Sequence, residues 1–324
     1  MTGDELGGVP PDAALRIWRR MATIRAADER LGRGLGAGEL RFAYYGIRGQ
    51  EAIPSVLCER LAPDDRLVTT YRNLHDATAK GVPLEELFGE YCGRATGTSA
   101  GKGGPMHLAD PAHGLMATSG VVGGGVPIAV GLALAASLTE SGRIAVASFG
   151  DGAMNIGSVH EALNLAAVWD LPVVFLCQRN NWGEHTAYED TTRTVKLSER
   201  VATYGIASAT VDGLSVPALW EAFGDAVNRA RSGRGPSFVE AIAPRLDGHA
   251  FGSGTDEMDP EELALARAHE PVAAFRHVLD AAGLAVAADE IEASAGAEVE
   301  AALAAALAAP APDPSTLLTD VTHG

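Results

Sequence analysis

The stretch Ser148 to Gly157, SFGDGAMNIG, sets Asp151 between two glycines directly after an apolar run. Glycines let the backbone turn and approach a ligand closely, and the helix start that follows favours an anion. A carboxylate placed there can cap the helix, or it can hold a cation that in turn holds an anion. A dinucleotide fingerprint, GxGxxG, fails, because the sixth position counted from Gly150 is Asn155. Gly123-Gly124-Gly125 does no better, since no clear strand precedes it. A magnesium ion on a diphosphate suits the pattern, being commonly held by one or two protein oxygens with phosphate and water completing the set. Asp151 can supply one oxygen. After the next apolar run come Gln178-Arg179-Asn180-Asn181-Trp182-Gly183, where Asn180 can offer its side-chain carbonyl and Trp182 its main-chain one.

For those oxygens to meet, two strands must end side by side. Arg143–Phe149 (RIAVASF) and Pro172–Cys177 (PVVFLC) read as buried strands, and the apolar spacing of Gly157–Trp169 reads as the helix between them. Strand, helix and strand with short connections imply a parallel pair with a right-handed crossover. Ligands of such sheets gather at the carboxyl ends of the strands. Further strands are expected at Asp64–Arg72, Ala207–Val211 and Ser237–Ala243, and helices at 11–33, Leu74–Tyr91, Pro127–Ser137 and Val216–Arg231. The expectation is a doubly wound α/β fold, a mostly parallel sheet flanked by helices, with residues 1–324 as a single domain. Ala95–Gly125, crowded with Gly, Ser, Thr and His, is expected to be an ordered active-site loop. From about Glu261 the chain turns helical and Ala-rich and ends in PAPDPSTLLTDV, expected to be a peripheral tail or docking arm.

A formal net charge of -17 argues against nucleic acid or an anionic membrane as partner, since both need clustered Lys and Arg. The three cysteines, Cys58, Cys92 and Cys177, form no CxxC and suggest neither disulfides nor zinc. The first residues carry acid and proline where a secretory signal has basic and apolar ones, and no run of 18 apolar residues occurs. The expected location is cytoplasmic.

Gly150-Asp151-Gly152 followed by Asn180-Asn181 resembles the GDG…NN signature of thiamine-diphosphate enzymes. Around it stand Gly49-Gln50-Glu51-Ala52, Thr70-Tyr71-Arg72, the run Gly101 to His107 (GKGGPMH), Ser119 to Gly123 (SGVVG) and Gly248-His249. In this order they resemble the alpha subunit of the decarboxylating component of 2-oxo acid dehydrogenase complexes, including the acetoin dehydrogenase branch, over roughly residues 12–280. The resemblance implies thiamine diphosphate and magnesium as cofactors, with Asp151, Asn180 and the Trp182 carbonyl as metal ligands. It also implies diphosphate contacts from Tyr71, Arg72, Gly152 and Ala153, and aminopyrimidine contacts from Gly120 and Val122. His249 matches the family's active-site histidine, although the chain reads Asp-Gly-His there. His107 and His75 are further catalytic candidates.

The implied reaction is cleavage of the carbon–carbon bond next to a ketone, in a 2-oxo acid or acetoin, with the acyl group passed to lipoamide on an acyltransferase core. In the family the glutamate that activates the cofactor comes from a separate beta subunit, so an α2β2 assembly is expected and the isolated chain should be inactive. Tyr45 stands where pyruvate-type relatives carry a histidine, and a phenol is a poor base near pH 7. A split transketolase-like enzyme, a specialised biosynthetic thiamine enzyme and a non-catalytic paralogue are the alternatives.

Overall fold

The computed structural model describes residues 5–320. Helix α1 (Pro11–Gly36) starts on a proline, whose missing N–H costs nothing in a first turn, and buries Ile17, Trp18, Met21, Ile24 and Leu31 along one face. Then follow α2 (Ala52–Arg60), β1 (Arg66–Thr70), α3 (Leu74–Lys80) and α4 (Leu84–Tyr91). The single helix expected over 74–91 is therefore two. Gly81 adopts a left-handed φ of 98° at the end of α3, and Pro83 precedes the first turn of α4. Next come β2 (Leu115–Ser119), α5 (Gly125–Leu138), β3 (Ala145–Gly150), α6 (Gly157–Val168) and β4 (Val173–Arg179). A short hairpin of β5 (Trp182–Gly183) and β6 (Thr186–Ala187) leads to α7 (Tyr188–Thr191), α8 (Leu197–Ala202), β7 (Ala207–Asp212), α9 (Val216–Arg231) and β8 (Ser237–Ile242).

The main sheet has six strands in the order β2-β1-β3-β4-β8-β7, and every neighbouring pair is parallel. From β1 the chain steps outward to edge strand β2, then returns past β1 to β3 and continues outward on the other side. The crevice beyond the carboxyl ends of β1 and β3 is thus the topological switch point, where open α/β sheets bind ligands. Register aligns those ends: Thr70 lies opposite Ser119, and Gly150 opposite Gln178. Two apolar layers enclose the sheet. One holds α1, α2 and α9; the other packs α5 and α6 on Ala147, Phe149, Phe175 and Phe238.

Strand β2 falls inside the segment expected to be an unpatterned loop. Only Leu115 and Thr118 of its five residues are buried, so no period-two pattern marks it. Beyond residue 261, α10 (Pro260–Ala268), α11 (Pro271–Ala281) and α12 (Ala285–Ala308) join the body of the protein. α12 lies along α1 and α4, burying Ala288, Ala295, Val299, Leu303 and Ala306 in the main core, and the Trp18 indole donates to the Ala288 carbonyl. The last residues of the expected arm, from Val321, lie outside the described residues. Among the described residues no helix is long and apolar enough to cross a membrane.

Candidate active site

A cavity of about 300 Å³ opens at the switch point, walled by the ends of β1, β3 and β4 and the turn after β2. Asp151 opens a short 3-10 turn between β3 and α6, so the N–H groups of Gly152 and Ala153 belong to a turn start without intrahelical acceptors. Gly152 is needed for room, since a Cβ there would lie 3.3 Å from the Gly183 Cα of the β5–β6 hairpin. The Asp151 side chain is buried, and neither carboxylate oxygen has a hydrogen-bond partner. Burial pushes its pKa up to about 7; backbone N–H groups at 151, 152 and 181, which do not meet hydrogen-bond geometry, and the Arg179 charge soften the shift. A buried carboxylate without partners is costly unless a cation joins it. Asn180, just past the end of β4, is also buried, and its Oδ1 accepts from the Trp182 N–H at 3.0 Å, which folds the loop back toward Asp151.

The opposite wall carries the opposite charge. Arg72, past the end of β1, is buried, and its guanidinium donates to the carbonyls of Gly46 and His249, the latter at 3.0 Å. No carboxylate pairs with it among the described residues, and burial lowers its pKa. One cavity therefore holds a buried acid without a hydrogen-bond partner and a buried cation without a carboxylate. A metal diphosphate would satisfy both, offering a cation to Asp151 and phosphate oxygens to Arg72. Among the described residues no cluster of three or more His, Cys, Asp or Glu could cage a metal. A sparse donor set of this kind suits magnesium, which takes its remaining oxygens from phosphate and water.

The other expected residues fall into two groups. His249 and Tyr71 line the cavity, and Tyr45 stands behind them, its ring 4.5 Å from that of Tyr71 and 5.3 Å from that of His249. Burial and the neighbouring Arg72 charge lower the His249 pKa to about 4, so the imidazole is neutral at pH 7. His75 lines the cavity too and is buried. The Gln178 amide donates to Ser148 Oγ at 2.7 Å and to the Asp76 carboxylate, leaving its oxygen to accept from His75 Nε2 at 2.8 Å. That arrangement assigns the proton to Nε2 and leaves Nδ1, which is buried without a partner, as the free nitrogen. His107 and Gly120 are not on the wall of this cavity. His107 is exposed against the glycine-rich loop, with its ring 3.4 Å from where a Gly120 Cβ would sit, while Val122 forms part of the cavity rim.

Several residues at the site escaped the sequence reading. Asp76, Ser148 and Gln178 form the buried polar floor just described, and the Thr69 hydroxyl donates a further hydrogen bond to Asp76. Arg245, after β8, donates to the Glu184 carbonyl at 2.8 Å and to Glu257 at 3.1 Å, tying down the loop beneath Trp182. Gln178 adjoins the NN pair and was within reach of the motif; nothing local marks Arg245 or Asp76.

Residues 19–315 match the family model described as the dehydrogenase E1 component. Over 313 residues the chain is 37% identical to the alpha subunit of acetoin:2,6-dichlorophenolindophenol oxidoreductase from Cupriavidus necator, covering 96% of this chain and 94% of that one. The subunit of the same description from Bacillus subtilis is 38% identical over 241 residues, 74% of this chain and 72% of its own. The pyruvate dehydrogenase E1 component subunit alpha of Zymomonas mobilis is 35% identical over 272 residues, 83% of this chain and 77% of its own. A parallel sheet whose switch point presents an unpaired acid to an unpaired arginine, and this similarity over nearly the whole chain, agree: the chain belongs to the dehydrogenase E1 component family.

Proposed function

We propose that the chain is the alpha subunit of a thiamine-diphosphate- and magnesium-dependent enzyme that cleaves the bond next to a ketone, in a 2-oxo acid or in acetoin. The observation that carries the reading is the pair of uncompensated buried charges, Asp151 and Arg72, in one cavity. Asp151, Asn180 and the Trp182 carbonyl hold the metal. Arg72 and the N–H groups of Gly152 and Ala153 hold the diphosphate, with Tyr71 beside them. Val122, on the cavity rim, abuts the aminopyrimidine, whereas Gly120 lies off the wall. The cofactor, when bound, supplies the nucleophilic carbon and the electron sink.

The chain's own residues bind, orient and handle protons. His249, neutral at pH 7, can accept a proton at its free nitrogen or donate a hydrogen bond to a developing oxyanion from the other. The Gln178 relay holds the His75 ring in one orientation on the cavity floor. Tyr45, a hydrogen-bond donor where pyruvate-type relatives carry a histidine, argues against pyruvate itself as substrate, and His107 lies beside Gly120 on the glycine-rich loop. A separate beta subunit completes the site in an α2β2 assembly and supplies the activating glutamate. A lipoyl acyltransferase core receives the acyl group, in the cytoplasm. The described chain acts as one domain, with its C-terminal helices as part of the body.

Calorimetry of thiamine diphosphate binding to the complex, with and without magnesium, tests the reading. Asp151→Ala is expected to abolish the magnesium dependence. A variant that binds with unchanged magnesium-dependent affinity refutes the assignment.

A further inference from the structure

The loop from 97 to 104 is built around a buried charge to which the proposed chemistry assigns no role. Glu90, in the last turn of α4, is fully buried, and its carboxylate accepts four backbone hydrogen bonds. Ser99 and Gly101 N–H groups donate to Oε2 at 2.7 and 2.9 Å, and Gly103 and Gly104 N–H groups to Oε1 at 2.7 and 2.9 Å. Among the described residues no Lys, Arg or His pairs with it. Oriented backbone N–H groups alone can stabilise an anion in this way.

The glycine spacing of the loop follows from this carboxylate. A Cβ on Gly97 would lie 2.4 Å from Glu90 Oε2, and one on Gly103 would lie 1.8 Å from the His107 carbonyl oxygen. Gly101 has a left-handed φ of 74°, where its N–H turns inward to the acid. Past the nest, the loop is fastened to the active site at two points. The Asn73 amide donates to the Pro105 carbonyl at 2.7 Å, and Asn73 adjoins Arg72. Thr118 Oγ1 donates to the Met106 carbonyl at 2.8 Å and accepts from the Leu108 N–H at 2.9 Å, which places His107 beside Gly120.

We propose that Glu90 is a positioning residue: its carboxylate is the internal anion around which residues 99–104 fold, and this fold holds His107 against Gly120, which sits between Ser119 and Val121 of the substrate cavity's wall. Glu90 touches neither cofactor nor substrate. The claim that the loop serves substrate binding rests on the function proposed above, whereas the claim that Glu90 orders the loop does not.

The test uses Glu90→Gln in the complex with the beta subunit. The amide keeps the volume but turns an NH₂ toward two N–H donors, so two of the four bonds are lost. Hydrogen exchange at the amides of 99–104 is expected to accelerate about tenfold or more, with the sheet unchanged. KM for the ketone substrate should rise about tenfold, and cofactor affinity should stay within about twofold of wild type. Glu90→Asp, which keeps the charge, should restore part of the protection. Unchanged exchange at 99–104 in Glu90→Gln overturns the proposal, and so does acceleration spread over the whole chain or a parallel fall in cofactor affinity. A wild-type complex that turns over no ketone would overturn the functional reading, while the exchange result still decides the role of Glu90.

Discussion

Replacing Asp151 by asparagine should stabilise the cofactor-free protein while destroying the proposed metal site. Burial raises the carboxyl pKa from 3.8 to about 7. At 1.36 kcal/mol per unit, a shift of about 3 units makes the ionised form cost about 4 kcal/mol of folding free energy. The folded protein holds this proton more tightly than the unfolded chain, so the contribution worsens as pH climbs from about 4 to about 7 and is fully present above that. The substituted asparagine carries no charge at any pH, and its unpartnered amide costs about 1–3 kcal/mol. Asp151→Asn should therefore exceed wild type by roughly 1–3 kcal/mol at pH 8 without magnesium and cofactor, and lose that advantage near pH 4. With both ligands at about a thousand times Kd, wild type should gain about 4 kcal/mol and the variant almost nothing, reversing the order. Thermal unfolding of the apo and loaded complexes across this pH range measures both effects. A variant less stable than wild type at pH 8 in the absence of ligands would show that the carboxylate is already compensated within the chain.

Further outcomes follow from the same site and fold. With its pKa lowered to about 4, His249 should add no limb to the kcat/KM profile between pH 5 and 8, and Arg72→Met should move its titration upward in an imidazole NMR experiment, since a neighbouring positive charge is removed. The unfolded chain protonates this histidine first, so His249 lowers stability as pH falls from about 6.5 towards 4, and His249→Gln should flatten that fall. On α12, Leu303 is fully buried, so Leu303→Ala should cost about 2–5 kcal/mol in chemical denaturation, where a residue on a loose arm would cost less than about 0.5.

Residues at strand ends were legible because local pattern sets where a buried strand stops. Apolar runs ending at Phe149 and Cys177 placed Asp151 and Asn180 at one edge, and the register of Gly150 with Gln178 bears that adjacency out. The break at Gly81-Val82-Pro83 was written in the sequence but is masked by apolar residues on both sides. On α12 the buried stripe is mostly alanine, and alanine recurs among the acids of the exposed face, so composition only partly marks which side packs. Strand β2 has the same difficulty in another form, with only two of its five residues buried and no alternation between them.

Pairing is what the sequence withholds. A motif can assign Asp151 the chemistry of a metal ligand, but whether it lacks a partner depends on every element packed around it, including Arg245 from the far end of β8. Glu90 makes the contrast. It is a second buried carboxylate without a cation, yet four N–H groups from one loop satisfy it and leave nothing for a ligand to supply. Asp151 receives none, so the free energy that Glu90 obtains within the chain must come to Asp151 from outside it. Two buried acids of similar exposure thus divide into one satisfied within its own loop and one left open for the proposed metal, and their hydrogen-bond partners decide which is which.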